Sequence, residues 1–400
     1  MTKLLHTADW QLGLRLDFVP GEAGARLRAQ RFATIETIAR LARDEAVDAV
    51  LVAGDVFDDN GVGGDTLQQA RDALRAFGDI PVVLLPGNHD PATEDSALRR
   101  LGDLDGNVHV ALTHHPLAFG DLEIHPCPLL QRHQYDDSTA HLPPRGDSRA
   151  VRVTLAHGGV LSFGETTETP NRIDAAAVIA KGFDYLALGD WHGLFEVSER
   201  ACYSGAHEAT RFKEKRPGQV LIVEIDGPGA VPRITPHPVA RTHWHQRSFE
   251  FGGDADLEQL EQWLAALEPL SWGLVELTLE GALSLAGSAR LDALLEDYGE
   301  RLALLRVDAE AIHAAPTETD LEALRGEGFV AHAITELREE NDPFDADALR
   351  LLHRLSQRLA AGASQGASPE RSVDLADETP QPSAEASAAS AGAAPNEDAR

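Results

Sequence analysis

Short apolar runs alternate with longer segments of mixed polarity over residues 1–235. In the longer segments 29–45 and 66–77, apolar residues recur at helical spacing, which predicts amphipathic helices that cover a sheet. The short apolar runs are bounded by glycine and proline and predict buried strands. This alternation of strands and helices indicates the α/β class.

Five of the predicted strands end in residue types that bind metals. These segments are Leu4–Gln11, Ala49–Asp55, Val82–Asp90, Val153–Gly158 and Tyr185–His192. In open α/β sheets, ligands bind outside the carboxyl ends of the strands. The five ends are therefore expected to meet, and their Asp, Asn and His residues predict a centre for two metal ions.

Each polar end has an expected role in this centre. Asp55 follows a buried strand and a glycine and is the expected bridge between the two ions. The other expected ligands are Asp9 and His192 for one ion and Asn88, His157 and Asp190 for the other. His89 is the candidate general acid or leaving-group stabiliser, because imidazole titrates in the useful range. Asp90 either orients His89 or caps the next helix.

Residues beside these motifs are candidates for substrate contact. Trp10 and Trp191 either stack on a nucleobase or pack around the site. Arg15 follows the first motif, and it either contacts phosphate or belongs to a solvated face.

The pattern changes near residue 245, and we expect four regions: 1–240, 245–315, 319–360 and 361–400. Strands and helices in the second region predict a small α+β domain. The third region is predicted to be helical, and its leucine stripe either packs on its own domain or docks a partner. The fourth is rich in Ala, Ser, Pro and Glu and is predicted to be a disordered acidic tail.

Composition limits the choice of function. The formal net charge is −30, which weighs against a nucleic-acid substrate, although a few well-placed arginines suffice for phosphate contacts. The two cysteines form no disulfide framework and fit a reducing compartment. No apolar run is long enough to span a membrane. We therefore expect a cytoplasmic protein without membrane association.

The motifs resemble those of a known family. Asp9-x-Gln11, Gly54-Asp55-x-x-Asp58, Gly87-Asn88-His89-Asp90, His157-Gly158 and Gly189-Asp190-x-His192 are similar to the motifs of calcineurin-like metallophosphoesterases. Within these, the chain most resembles the SbcD-type nuclease subunit of DNA repair complexes. The closer resemblance rests on His6-Thr7-Ala8-Asp9, Gly54–Asp58, Tyr203-Ser204-Gly205 and Phe212-x-Glu214.

The resemblance implies a two-sheet β-sandwich flanked by helices, with a small α+β capping domain. It implies a DNA exonuclease with nicking activity, in which two divalent ions, Mn²⁺ first and Mg²⁺ second, activate water. Tyr203 is included among the substrate contacts on this basis. The implied partners are DNA, an SMC-like coiled-coil ATPase and a second copy of the chain.

Two positions depart from the family pattern, because Gln11 and Asp190 stand where histidine is usual. Asp190 makes its site harder and favours Mn²⁺ or Mg²⁺, whereas Gln11 either offers a weak amide oxygen or does not coordinate. These changes mark either a working subfamily or decay towards a non-catalytic scaffold that regulates an ATPase. A phosphodiesterase or phosphomonoesterase for small nucleotides is the other alternative.

Overall fold

Two six-stranded mixed sheets pack face to face in the computed structural model of the protein. The structure describes residues 1–102, 104, 106–161, 169–315, 317 and 351, which belong to one compact unit, Met1–His353. The first sheet contains β1 (Thr2–Thr7), β2 (Ala49–Val52), β3 (Val82–Leu84), β4 (Val108–Val110), β13 (Gln219–Ile225) and β14 (Arg233–Pro238), in the order β14-β13-β1-β2-β3-β4. The second contains β5 (Leu117–Phe119), β6 (Leu122–Cys127), β7 (Val151–His157), β10 (Tyr185–Gly189), β11 (Phe195–Ser198) and β12 (Ala201–Tyr203), in the order β11-β12-β10-β7-β6-β5.

The strands of the first sheet are buried on both faces. Leu4 and Leu51 point into the core between the sheets, whereas their neighbours Leu5 and Val50 point into a second core under the helices. Successive side chains of a strand alternate between faces, so a continuous apolar run fills both cores. The predicted two-sheet α/β fold is confirmed.

Helices cover the outer faces of the sandwich. They are α1 (Gly21–Asp44), α2 (Gly64–Arg75), α3 (Ala97–Arg100) and α4 (Ala175–Ala180). Helix α1 begins well before the predicted residue 29. Its first turns bury Leu27 against Leu274 and Ala303 from the C-terminal half of the chain, so a long-range contact and not local periodicity fixes this part of the helix.

A separate three-stranded parallel sheet follows the sandwich. Its strands are β15 (His243–Phe251), β16 (Gly273–Leu283) and β17 (Leu304–Ala314), in the order β15-β16-β17. Two helices connect them, α5 (Leu257–Ala265) and α6 (Leu285–Arg301). Along the chain between β7 and β10, the strands β8 (Gly159–Val160) and β9 (Arg172–Ile173) pair as a short two-stranded sheet. We call the β15–β17 region the capping sheet.

The capping sheet contacts the segment that follows the first ligand motif. Leu16 and Val19 share an apolar cluster with Leu274. Arg26 of α1 donates a hydrogen bond to the Ser271 carbonyl at 2.6 Å, and its guanidinium lies 5.0 Å from the centre of the Trp272 ring. The contact therefore fixes the start of α1.

The predicted helical region 319–360, apart from Leu351, and the predicted tail 361–400 lie outside the described residues. Among the described residues, no helix combines the length and apolar character needed to cross a membrane.

Candidate metal centre

Polar residues from both sheets meet at one edge of the sandwich. Strands β1, β2 and β3 are parallel to one another, as are β7 and β10, so their carboxyl ends carry the motifs to the same region. The first sheet supplies Asp9, Gln11, Asp55, Asn88 and His89, and the second supplies His157, Asp190 and His192.

Asp9, Asp55 and His157 form the buried middle of the site. One ligand atom from each lies within 4.8 Å of the other two. The second carboxylate oxygen of Asp9, Oδ2, is buried and has no hydrogen-bond partner among the described residues. A buried carboxylate oxygen without a partner is costly, so this atom is suited to a cation.

His157 connects the middle to further predicted ligands. Its Nε2 lies 3.4 Å from Asp55 Oδ1, 2.8 Å from Asn88 Oδ1 and 3.8 Å from Asp190 Oδ1. The Asp190 side chain is 41% exposed and therefore lies at the mouth of the site. His157, Asp55, Asn88 and Asp190 are the ligands predicted for one of the two ions.

Both histidines of the centre are oriented by acceptors behind them. His157 Nδ1 lies 2.9 Å from the Ala53 carbonyl, and His192 Nδ1 lies 2.6 Å from Glu214 Oε1. Each Nδ1 therefore carries the proton and donates, which leaves each Nε2 to face the centre. His192 Nε2 lies 3.2 Å from the Gln11 side-chain amide, so Gln11 lies at the site beside a predicted ligand.

The electric field of the centre is strongly negative. Burial raises the pKa of Asp9 to about 6. Burial alone would lower the pKa of His157, but nearby carboxylates, led by Asp55 and Asp9, raise it well above its usual value. Burial likewise opposes ionisation of Asp55, yet His157 and His89 hold its pKa below the usual range. The field that holds a proton on His157 also attracts divalent cations, so these residues fit them.

The backbone is strained at four of the predicted ligands. Asp9, Gln11, Asp55 and Asp190 have φ angles of +53°, +41°, +51° and +101°. Non-glycine residues rarely adopt this left-handed region, and such strain concentrates at functional sites. The strained residues therefore lie at the same strand ends where the sequence pattern predicts metal ligands.

The model of the calcineurin-like phosphoesterase family matches residues 2–223. This range is more than half of the chain and contains every predicted ligand. The protein belongs to the calcineurin-like phosphoesterases. Its general reaction is therefore metal-dependent hydrolysis of a phosphoester. The individual ligand roles stay predictions, although the structure brings all seven predicted ligand residues together.

In this phosphoesterase, His89 is held at the edge of the centre. Its backbone N–H donates to Asp55 Oδ1 at 2.9 Å, and its Nδ1 lies 2.8 Å from the Asp58 carbonyl. The Nδ1 proton is therefore donated to the Asp58 carbonyl, and Nε2 stays available to a reacting group. Orientation by Asp58 is a contact that the motif spacing did not reveal.

The prediction for Asp90 is wrong. Its carboxylate neither orients His89 nor caps a helix, because Oδ1 accepts from the Gly87 N–H at 2.8 Å and Oδ2 accepts from the Phe57 N–H at 2.9 Å. Asp90 is fully buried and joins the loop after β2 to the loop after β3. Burial, followed by the nearby Asp55 charge, raises its pKa to about 7.

Two of the four candidate substrate contacts are buried, so Trp10 takes the packing alternative and Tyr203 is not a substrate contact. Trp10 is completely buried and donates from Nε1 to Thr7 Oγ1 at 3.0 Å, so it cannot stack on a base. Tyr203 is 2% exposed, and its hydroxyl donates to the Gly158 carbonyl at 2.8 Å. Both side chains therefore hydrogen-bond to residues beside the predicted ligands and help to hold the ligand loops in place. In contrast, Trp191 is 54% exposed and Arg15 lies on the surface, so both stay candidates.

Sequence reasoning missed Arg31 as a support of the site. Its buried guanidinium donates to the Trp10 carbonyl at 2.8 Å and to the Glu208 and Ala209 carbonyls at 3.1 and 3.2 Å. It thereby fixes the loop that carries Asp9. Its signal in the sequence is a charged residue on the apolar face of α1, one turn before Ile35.

Proposed function

We propose that this phosphoesterase is a phosphodiesterase that hydrolyses DNA, as an exonuclease with nicking activity in DNA repair. One observation carries the proposal. The buried residues Asp9, Asp55 and His157 lie together at the carboxyl ends of their strands, and His89 is held beside them. This arrangement provides cation ligands and a proton donor in one place. The family resemblance of the motifs supports DNA as the substrate.

The residues divide the work of the reaction. Asp9, Asp55, Gln11 and His192 would hold one ion, and Asp55 with Asn88, His157 and Asp190 would hold the other. When bound, two divalent cations, of which we propose Mn²⁺, supply charge neutralisation at the phosphate and activation of water.

His89 supplies the proton that the departing oxygen needs. The Asp58 carbonyl accepts from Nδ1 and so fixes the ring, and Nε2 is the atom that donates to the leaving group. The anchoring removes rotational freedom before substrate binds.

Two specific observations favour other functions. The net charge of −30 favours a small nucleotide over a long polyanion as the substrate, for a phosphodiesterase or phosphomonoesterase. Gln11 and Asp190 favour a scaffold that regulates an ATPase. Against the scaffold, the protein retains strained ligand loops and an anchored His89, which a purely structural subunit does not need.

The resemblance supports three further proposals. The protein would act with an SMC-like coiled-coil ATPase, as a homodimer and in the cytoplasm. Co-purification with the ATPase and the molar mass in solution test the first two.

Hydrolysis of end-labelled single- and double-stranded DNA with Mn²⁺ tests the proposed activity. Asp55→Asn should abolish cleavage, whereas Asp44→Asn, an exposed position at the far end of the sandwich, should not change it. His89→Gln should lower kcat on DNA by roughly 100-fold or more. It should slow bis-p-nitrophenyl phosphate much less, because p-nitrophenolate leaves without a proton.

The outcomes separate the candidates. Hydrolysis of bis-p-nitrophenyl phosphate with no DNA cleavage would identify a small-substrate phosphodiesterase. Failure to bind Mn²⁺ and to hydrolyse either substrate would identify the scaffold.

A further inference from the structure

A pocket with three cationic side chains in its lining opens directly beside the candidate metal centre. Its cavity volume is about 250 Å³, and Asp190 and His192 form the wall that it shares with the centre. Arg211, Lys213 and Lys215 also line the pocket, together with Glu214. No role in the reaction proposed above uses these three cationic side chains.

The concentration of positive charge is unusual for this chain. The chain has four lysines in all, and two of them line this pocket, although the net charge is −30. Both lysines are exposed, and neither forms an ion pair with any other described residue. Arg211 is partly neutralised, since its Nε lies 3.4 Å from Glu214 Oε1. The lysine ammonium groups are therefore available to an anion.

The backbone that carries the lysines has a fixed position relative to the candidate metal centre. Glu214, between Lys213 and Lys215, turns inward and accepts from His192 Nδ1 at 2.6 Å. A Cβ at Gly193 would lie only 2.0 Å from the Lys215 carbonyl oxygen, so the two loops are in close backbone contact. An anion bound by the lysines inside this pocket would therefore lie beside the candidate metal centre.

An aromatic surface completes the pocket. Trp191 lines it and is 54% exposed, although large aromatic side chains are usually well buried. A flat exposed ring next to cationic groups matches a nucleobase joined to a phosphate. Neither feature is needed to bind a simple phosphomonoester at the metal centre.

We propose that this pocket binds the nucleotide adjacent to the scissile phosphodiester, with its base on Trp191 and its phosphate on Lys213 and Lys215. The inference rests on the proposed phosphodiesterase function and adds the residues that select a nucleotide substrate. The shared chemistry is that of a nucleotide, whether it belongs to a DNA strand or is free.

Binding of a fluorescent 12-nucleotide phosphorothioate single strand tests the pocket without hydrolysis, in the presence of Mn²⁺. Lys213→Gln/Lys215→Gln should raise Kd about 10-fold at moderate salt. It should also reduce the slope of log Kd against log salt by about 0.7, since the two lysines neutralise one phosphate and each neutralised phosphate on a single strand contributes about 0.7. Arg40→Gln/Arg149→Gln removes the same charge at exposed positions far from the ligand loops and should change neither value.

Trp191→Ala should also raise Kd about 10-fold, but with an unchanged salt slope, because stacking releases no counterion. Trp191→Phe, which keeps an aromatic face, should restore most of the affinity. If the mutations only distorted the site, the lysine variant would not change the salt slope selectively, and Trp191→Phe would not restore affinity.

Competition with thymidine 5′-monophosphate distinguishes the two sources. Displacement of the strand only by millimolar monophosphate would assign the pocket to a DNA strand, and displacement at micromolar concentration would assign it to a free nucleotide. Unchanged Kd and salt slope in both variants would overturn the proposal. Lysine-dependent binding without hydrolysis of natural DNA would keep the pocket and remove the proposed reaction.

Discussion

Glu214 has the most informative single side chain outside the predicted ligand set. It is buried, it accepts from His192 Nδ1 at 2.6 Å, and it also accepts from the Thr210 hydroxyl. Burial alone would raise its pKa, but the hydrogen bond from His192 leads the contacts that lower it. A charged carboxylate behind a metal-binding imidazole raises the basicity of the ring and fixes its tautomer.

Glu214→Gln should therefore weaken metal binding while preserving the shape of the pocket. We expect a 10- to 100-fold higher Mn²⁺ concentration for half-maximal activity, as is typical when such a partner is replaced. Titration calorimetry with Mn²⁺ checks the affinity directly. Glu296→Gln, on the exposed face of α6, is the matched control. An unchanged Mn²⁺ requirement in Glu214→Gln would mean that His192 is not a ligand.

At the scale of elements, the ligand loops are shaped by glycines with no room for a side chain. A Cβ at Gly54 would lie 2.1 Å from His157 Nδ1, and the residue has a φ of +95°. A Cβ at Gly87 would lie 2.1 Å from Asp55 Oδ1. Gly54 lets strands of the two sheets bring their ends together, and Gly87 allows the same close approach between two loops of the first sheet.

Gly54→Ala should displace His157 and remove metal binding. It should also destabilise the fold by about 1–3 kcal/mol, because alanine is strained at this φ and contacts the imidazole. Metal content and a urea unfolding curve measure the two effects. Gly63→Ala is the control, since its Cβ would meet nothing within 4 Å and its φ is −75°. Retention of metal by Gly54→Ala would show that the loop can shift.

The strand ends were predictable because they combine two local signals. An apolar run followed by a metal-binding residue type marks both the strand and the site, as at Asp55 and His157. Long-range contacts explain the failures. Trp10 is next to a ligand in sequence yet points into the core, and Asp90 bonds to the Phe57 amide of another loop. Neither direction is encoded by neighbouring residues.

At the scale of the whole molecule, buried histidines make stability depend on pH. His6 is fully buried, and its Nδ1 lies 2.9 Å from the Tyr185 hydroxyl between the two sheets. Burial lowers the pKa of His6 to about 3. The unfolded chain therefore binds a proton that the folded chain does not bind between about pH 6.5 and pH 3.

The free energy of unfolding should therefore fall as the pH is lowered below about 6.5, by up to about 1.4 kcal/mol per pH unit from His6 alone. His6→Gln cannot titrate, so its urea midpoint should depend less steeply on pH between 6 and 4, even if it is less stable overall. His115→Gln, at an exposed position, should keep the wild-type slope. Parallel profiles for wild type and His6→Gln would contradict the low pKa.

The two sheets contribute to the metal centre from opposite sides of the inter-sheet core. Asp9 and Asp55 follow strands of the first sheet, and His157 ends a strand of the second. An ion held by all three is a cross-link between the layers, so its binding energy adds to folding. At 100 times its Kd, such an ion stabilises the folded state by about 2.7 kcal/mol. Thermal unfolding should shift upward with Mn²⁺ in wild type and not in Asp55→Asn.

The same cross-link ties the lifetime of the protein to the metal supply. A chain deprived of its ions opens more often, and proteases cleave chains in proportion to the population that is open. Limited proteolysis with and without a chelator would measure this dependence. In a cell short of metal, inactive molecules would thus be degraded faster than active ones.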